Sequence, residues 1–123
     1  MPDRMKVNTP LDGCGLIVWS SRRVHRGATN HPLTRLEARL LAHLVLHAER
    51  VVDRTELLQE VWGYPAAVQT RTVESTIRRL RQKIERDPGE PKHILSVYGQ
   101  GYRFVGAVAA PEPLSASDQR ASA

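Results

Sequence analysis

Apolar residues recur with helical spacing in three stretches of the chain. The longest pattern runs over residues 69–86, where Val73, Ile77, Leu80 and Ile84 follow one another at steps of four, three and four. At about 100° per residue these four side chains form one narrow stripe, and a stripe of that kind must face a core. Upstream, Leu40, Leu41, Leu44 and Val45 supply the buried face of a helix that lasts to about His47. Its start is marked by Thr34 and Glu37, the spacing of a capping box in which hydroxyl and carboxylate satisfy orphan amides reciprocally. Asp53 and Glu56 repeat that logic ahead of Leu57, Leu58, Val61 and Trp62, the apolar face of a shorter helix that Gly63-Tyr64-Pro65 ends. A loop from Gly63 to about Val68 then leads into the long helix.

The remaining stretches read as extended. Residues 1–33 hold short runs at Met5 to Asn8, Leu16 to Trp19, Arg22 to Arg26 and Ala28 to His31, punctuated by Gly13, Gly15, Ser20-Ser21 and Gly27. This predicts a small antiparallel sheet. Val51-Val52 is a short extended link. After the long helix, Asp87-Pro88-Gly89-Glu90-Pro91 is a stop that no helix crosses. Ile94 to Tyr98, the Gly99-Gln100-Gly101 turn and Tyr102 to Val105 then form a β-hairpin. No helix follows that Gly-x-Gly, so it is not a phosphate loop. The fold class is α+β, with an N-terminal antiparallel sheet, three helices and a C-terminal hairpin. Two helices joined by a turn, with the second basic, make a helix-turn-helix, and the hairpin behind them is a wing.

The polar side of the third helix changes the picture from fold to function. Arg71, Thr72, Ser75, Arg79, Gln82 and Arg86 project away from the apolar stripe, with Arg78 and Lys83 at the margins. A solvated face carries charge too, but such a face is normally laced with i,i+4 acids. Here Glu74 projects toward the core edge and Glu85 comes late, which favours an anionic partner. Short hydroxyls at Thr72, Ser75 and Thr76 among arginines suit close approach to a duplex groove, with guanidinium forks reaching phosphates or guanine edges. The helix reads as a DNA recognition helix.

Composition narrows the alternatives. With 123 residues, 41% of them hydrophobic, the chain has room for one domain. Eighteen Lys and Arg against thirteen Asp and Glu give a formal charge of +5, and the sequence pI is near 10.0. That balance favours nucleic acid over an acidic-substrate enzyme, although charge alone does not separate DNA from RNA or anionic lipid. Cys14 is the one cysteine, so no internal disulfide forms. No apolar run approaches the roughly 20 residues of a membrane span, and no signal-peptide core follows the first residues. A soluble, cytoplasmic chain is expected. His43 and His47 have the i,i+4 spacing of a helical metal pair, but no acid or cysteine stands out as a third ligand, so they are read as packing or surface histidines and no metal is expected. Ser75 and Ser96 lack a base and an orienting group, so no enzyme and no cofactor are expected.

A group of motifs carries a wider resemblance: Leu33-Thr34, Arg50-Val51-Val52, Leu57-Leu58, Val61-Trp62-Gly63, Arg71-Thr72-Val73, Ile77-Arg78-Arg79-Leu80-Arg81 and Gly99-Gln100-Gly101-Tyr102-Arg103-Phe104. In order and spacing these resemble the winged-helix effector domain of the OmpR/PhoB response-regulator family, over about residues 16 to 106. The resemblance implies a four-stranded N-terminal sheet, a third helix in the major groove of double-stranded DNA and a wing at the adjacent minor groove, for transcription regulation. It makes Ser75, Thr76, Arg78 and Arg79 base or near-base contacts, and Arg71, Thr72, Arg81 and Lys83 phosphate contacts. For Arg81 the helical projection differs, setting it nearer the core edge. The wing residues are Tyr98, Gln100, Tyr102 and Arg103. The resemblance further implies contact of the loop at Gly63, Tyr64, Pro65, Val68 and Gln69 with RNA polymerase, and a dimer on repeated DNA half-sites.

The chain also departs from that pattern. Tyr98 stands where the family usually has an arginine or lysine, and a phenol brings no charge to the electronegative minor groove. Ala38 replaces a common bulky aromatic and His43 a usual leucine, which predicts looser packing of the first helix. Family members usually carry a receiver domain with a phosphorylatable aspartate, and residues 1 to 32 are too few to house one. The expected organisation is an N-terminal segment at 1–15, partly disordered, a winged-helix domain at 16–106 and a disordered tail or linker at 107–123, either free-standing or a fragment of a longer regulator. The alternative function is a winged helix that binds protein, for example RNA polymerase, with weak or no DNA binding.

Overall fold

The computed structural model describes residues 8–13, 15–65 and 70–106. Met5 to Val7, Cys14, Val68, Gln69 and the tail from Ala107 lie outside the described residues. Four short strands, β1 (Thr9–Pro10), β2 (Gly15–Val18), β3 (Arg23–Arg26) and β4 (Thr29–Pro32), form one antiparallel sheet in sequence order. Of the run expected at Met5 to Asn8 only Asn8 is described and it is not in a strand; β1 draws Thr9 to Leu11 into the domain ahead of residue 16. Leu11 is buried, and the indole of Trp19 donates to the Thr9 hydroxyl at 2.8 Å. Alternation along β2 and β3 turns Ile17 and Val24 inward, directly opposite one another across the pair.

Helix α1 (Arg35–Leu46) starts with the expected capping box: Glu37 N–H donates to the Thr34 hydroxyl, and Thr34 N–H donates to the Glu37 carboxylate. Leu40, Leu41, Leu44 and Val45 are buried as the pattern requires. Helix α2 (Arg54–Leu57) runs directly into a π-helical turn at Leu58–Trp62, and Gly63 closes it at φ 73°, a left-handed cap that glycine adopts without strain. The Asp53 carboxylate accepts the Glu56 N–H at 2.7 Å, but Glu56 does not return the bond. Its carboxylate takes Arg50 and His43 instead, so this cap is one-sided.

Helix α3 (Thr72–Ile84) is shorter at both ends than the 69–86 expected from its pattern. At the start, Arg71 has φ −100° and ψ 13° and offers no side-chain cap, while the Thr70 hydroxyl takes the Thr72 N–H. At the end Glu85 is extended, and its buried carboxylate accepts the N–H groups of Lys92, His93 and Ile94. That reach across the Pro-Gly turn fixes where β5 (Ile94–Val97) begins. Its partner β6 (Gly101–Phe104) pairs with it antiparallel to form the wing, and Val52 bridges to Tyr102, so the extended link expected at Val51-Val52 seats the wing on the helices.

The core lies between these layers. Val73, Ile77, Leu80 and Ile84 of α3 meet Leu40, Leu41 and Leu44 of α1, Leu57, Leu58 and Val61, the sheet residues Ile17 and Val24, and Ile94 and Phe104 of the wing, all at most 1% exposed. Trp62, expected on the apolar face of the second helix, is half-buried against this core.

Candidate nucleic-acid interface

Because one stripe of α3 is anchored in the core, the opposite arc is held out to solvent. Ser75, Arg78, Arg79 and Gln82, at i, i+3, i+4 and i+7, are exposed together, with Arg71 before them and Arg86 after. Among the described residues Arg71 and Arg78 form no ion pair, which leaves their guanidinium groups available to an outside anion. Glu74 is exposed too, against the expectation of a core-edge position. Arg54 of α2 pairs with it at 2.7 Å, so its charge is neutralised where α2 and α3 meet.

Several expected contact residues are placed otherwise. Thr76 is 1% exposed: its hydroxyl donates to the Thr72 carbonyl at 2.7 Å and accepts from Arg79 at 3.3 Å, so it supports the arc from beneath rather than lying in it. Arg81 is tied to the wing, donating to the Ile94 carbonyl at 2.9 and 3.1 Å and to the Ser96 hydroxyl at 2.9 Å. This half-buried position lies nearer the core edge, as the helical projection sets it. Lys83 donates to the Pro32 carbonyl at 2.8 Å and pairs with the buried carboxylate of Glu37. Thr72 is half-buried at the start of the helix, beside exposed Arg71.

Glu37 is the acid that the sequence of α3 does not contain. It is 1% exposed, and its other oxygen lies 3.4 Å from Arg79. Burial opposes its ionisation, but hydrogen bonds from Lys83 and the Thr34 amide and the charges of Lys83 and Arg79 win, holding the carboxyl below its ordinary 4.5. Arg26 of β3 also reaches the end of α3. Its guanidinium donates at 2.6 Å to both the Asp12 carbonyl and the Ile84 carbonyl, capping the end of α3 from the sheet.

At the wing tip Tyr98 is fully exposed (100%), Gln100 is exposed, and Tyr102 and Arg103 are half-buried. Gly101 has φ 148°, and a Cβ there would lie 2.2 Å from the Val52 carbonyl oxygen, so close approach of the linker requires glycine. At the far end of α1, Glu56 hydrogen-bonds to His43 at 2.7 Å and to Arg50 at 2.7 and 3.2 Å. The Arg50 bonds lead in pulling its carboxyl down to about 2 against partial burial, with His43 adding to them. This is the third potential ligand that sequence patterning did not find beside His43 and His47. It comes from the next helix, so only packing brings it there.

Helix-turn-helix geometry, a basic outward arc on the second helix of that motif and a hairpin seated beside it define a winged-helix nucleic-acid-binding domain. The chain belongs to the family described as transcriptional regulatory protein, C terminal, which matches residues 28–104. It is 40% identical over 86 residues to the KDP operon transcriptional regulatory protein KdpE of Escherichia coli, covering 70% of this chain and 38% of that protein. It is 44% identical over 66 residues to the transcriptional regulatory protein YvrH of Bacillus subtilis, covering 54% of this chain and 28% of that protein. The chain thus spans well under half the length of either curated relative. Among solved structures it resembles the DNA-binding domain of Klebsiella pneumoniae RstA, crystallised with the RstA box, at 31% identity and a TM-score of 0.66 over 79% of this chain and 95% of that one. Among the described residues no helix is long and apolar enough to cross a membrane.

Proposed function

We propose that this chain binds double-stranded DNA sequence-specifically to regulate transcription, with α3 in the major groove and the β5–β6 wing beside it. The observation that carries this is the outward arc of Arg71, Ser75, Arg78, Arg79 and Gln82, beside which Glu74 is already paired with Arg54 and buried Glu37 with Lys83, leaving Arg71 and Arg78 without an acid among the described residues. Ser75, Arg78 and Arg79 face the base edges, and Arg71 and Thr72 face the flanking phosphates. Arg81 and Lys83 act first as positioning groups, because both are engaged within the domain.

The same reading gives an activity that is binding without catalysis, in a family of transcription regulators rather than an enzyme class. It sets the protein with chromosomal DNA in the cytoplasm and makes two copies on repeated half-sites the arrangement for tight binding. The loop with exposed Gly63, Tyr64 and Pro65 is the surface for RNA polymerase. Residues 16–106 act as the DNA-binding unit, extended at the front by β1.

Selection of bound sequences from a random duplex pool, followed by affinity measurement across salt concentrations, tests this function. Log K should fall with log salt at roughly −0.9 per phosphate contact, hence about −3 to −6 for one domain. A flat salt response, or no enriched sequence, would sink it.

A further inference from the structure

His43 lies in the last turn of α1, His47 is the residue that caps the end of that helix, and Glu56 comes from the first turn of α2. One ligand atom from each lies within 4.8 Å of the other two. Nε2 of His43 is 2.7 Å from a Glu56 oxygen, and the two imidazole rings are 4.6 Å apart between centroids. All three residues are half-buried, so they are ordered by packing yet reachable from solvent. A purely structural role accounts for the His43–Glu56–Arg50 chain of hydrogen bonds. It does not account for His47, whose ring makes no hydrogen bond among the described residues and is turned toward that of His43.

We propose that His43, His47 and Glu56 form a binding site for a transition-metal dication of the zinc class, through two imidazole nitrogens and one carboxylate oxygen. The donor set selects the class: hard Mg2+ and Ca2+ favour all-oxygen cages, whereas borderline Zn2+ and Co2+ favour mixed nitrogen and oxygen ligands. Three protein ligands leave a fourth tetrahedral position for water. Metal bonds of about 2.0 to 2.1 Å place such ligand atoms about 3.3 Å apart, so the His43–Glu56 pair opens slightly from 2.7 Å while the His47 ring draws in from within 4.8 Å, both within reach of side-chain torsions. Between His43 and Glu56 the metal takes the place of the shared proton. The second Glu56 oxygen, 3.2 Å from Arg50 Nη1, keeps its own partner and so orients the carboxylate from outside the coordination sphere. Since the ligands come from both α1 and α2, occupancy would fasten together the pair of helices on which α3 is mounted, and a metal that binds only the folded state raises stability.

The test is titration of the metal-free 123-residue chain with Co2+ as a coloured probe, followed by displacement with Zn2+. One equivalent of Co2+ per chain should bring up the visible bands of a four- or five-coordinate ion, and Zn2+ should bleach them and raise Tm. His43→Gln and His47→Gln should each abolish the bands and the Tm shift, and Glu56→Gln should weaken binding at least about tenfold, the scale on which even outer partners act. His31→Gln should bind as the parent does. The absence of saturable bands, bands that persist in a folded His47→Gln variant, or bands lost in Cys14→Ser would each overturn the site. Should Glu56→Gln or His43→Gln fail to fold, His47→Gln decides, because its ring holds no hydrogen bond within the described structure.

Discussion

Glu37 of α1 and Lys83 of α3 meet at 2.5 Å across the interface of the two helices, with the Glu37 side chain only 1% exposed and that of Lys83 23% exposed. One side chain thereby caps its own helix and neutralises a cation on the recognition helix. Glu37→Gln keeps an oxygen for the Thr34 amide but removes the charge. It should destabilise the domain by on the order of 1 to 3 kcal/mol in urea unfolding, the cost of leaving a charged partner short of its acceptor. Lys83→Met should cost at least as much, about 3 kcal/mol, because it leaves the buried carboxylate with Arg79 at 3.4 Å as its remaining cation. Equal and negligible losses would mean that the pair is incidental.

The same pair sets a pH dependence. The folded carboxyl of Glu37 is held below its ordinary 4.5, so the folded state binds fewer protons than the unfolded one. Its contribution is therefore fully present above about pH 4.5 and is lost as pH falls through the depressed folded value. Urea midpoints measured downward from pH 6 should drop for the parent chain, and Glu37→Gln should show less of that drop. Parallel curves would assign the acid loss to other carboxylates.

On the recognition helix, Arg78→Ala should weaken DNA binding, and either of two outcomes locates its contact. A phosphate contact lowers affinity uniformly across sequences and reduces the salt slope by about 1, whereas a bidentate base contact costs about 1 to 3 kcal/mol on the preferred sequence and less elsewhere. Thr76→Val should behave differently. Its hydroxyl is buried and bonded to Thr72, so stability should fall by about 1 kcal/mol while the selected sequence stays the same. A changed base preference in Thr76→Val would put that residue back in the groove.

The wing tip separates two roles for its tyrosine. With Tyr98 wholly exposed, Tyr98→Ala should leave unfolding stability within about 0.5 kcal/mol, as for surface substitutions generally. Tyr98→Arg should raise both affinity and preference for A·T pairs beside the major-groove site, because a guanidinium gains from the narrow, electronegative groove. Duplexes differing only in those flanking steps decide it. If the parent already prefers A·T strongly and Tyr98→Ala abolishes this, the phenol itself reads the groove.

Where the wing joins the helices, Gly101→Ala should be disruptive, since the added methyl meets the Val52 carbonyl at 2.2 Å. A loss of about 2 kcal/mol or more, of the order that backbone strain stores, should appear in thermal unfolding. Gly99 has open space around it, so Gly99→Asn, which tolerates the left-handed φ of 71°, should be nearly neutral.

What the sequence disclosed was local or periodic. The stripe from Val73 to Ile84, the Thr34–Glu37 cap, the Gly63 stop and the hairpin each depend on residues a few positions apart, so their order and type could be read directly. Thr76 could have been placed as well: it lies three residues after Val73 and four before Leu80, within the buried stripe, but its short hydroxyl among arginines and the family likeness both drew it outward. Contacts between distant residues left no such trace. Lys83 finds Glu37 across 46 positions and Arg26 finds Ile84 across 58, and nothing in the spacing of either pair announces the meeting. His43 and Glu56 are only 13 apart, yet the helix turn between them hid their approach. The candidate interface was therefore legible in its exposed arc, whereas the roles of Arg81 and Lys83 depended on neighbours that only the packed domain supplies.

The guanidinium of Arg26, bonded to the last carbonyl of α3, has a kinetic consequence. Terminal turns of a helix ordinarily fray, and ordering them on contact with a ligand costs conformational entropy. Here the end of α3 is fastened to the four-stranded sheet, so the helix arrives at DNA already shaped and moves only with the sheet. A rigid reader of this kind loses little on encounter and adapts little to a poor match. Right and wrong sequences should then be met at similar rates and told apart by how long each complex survives. Arg26→Ala should blur that distinction, shortening residence on the preferred site while leaving the association rate nearly unchanged.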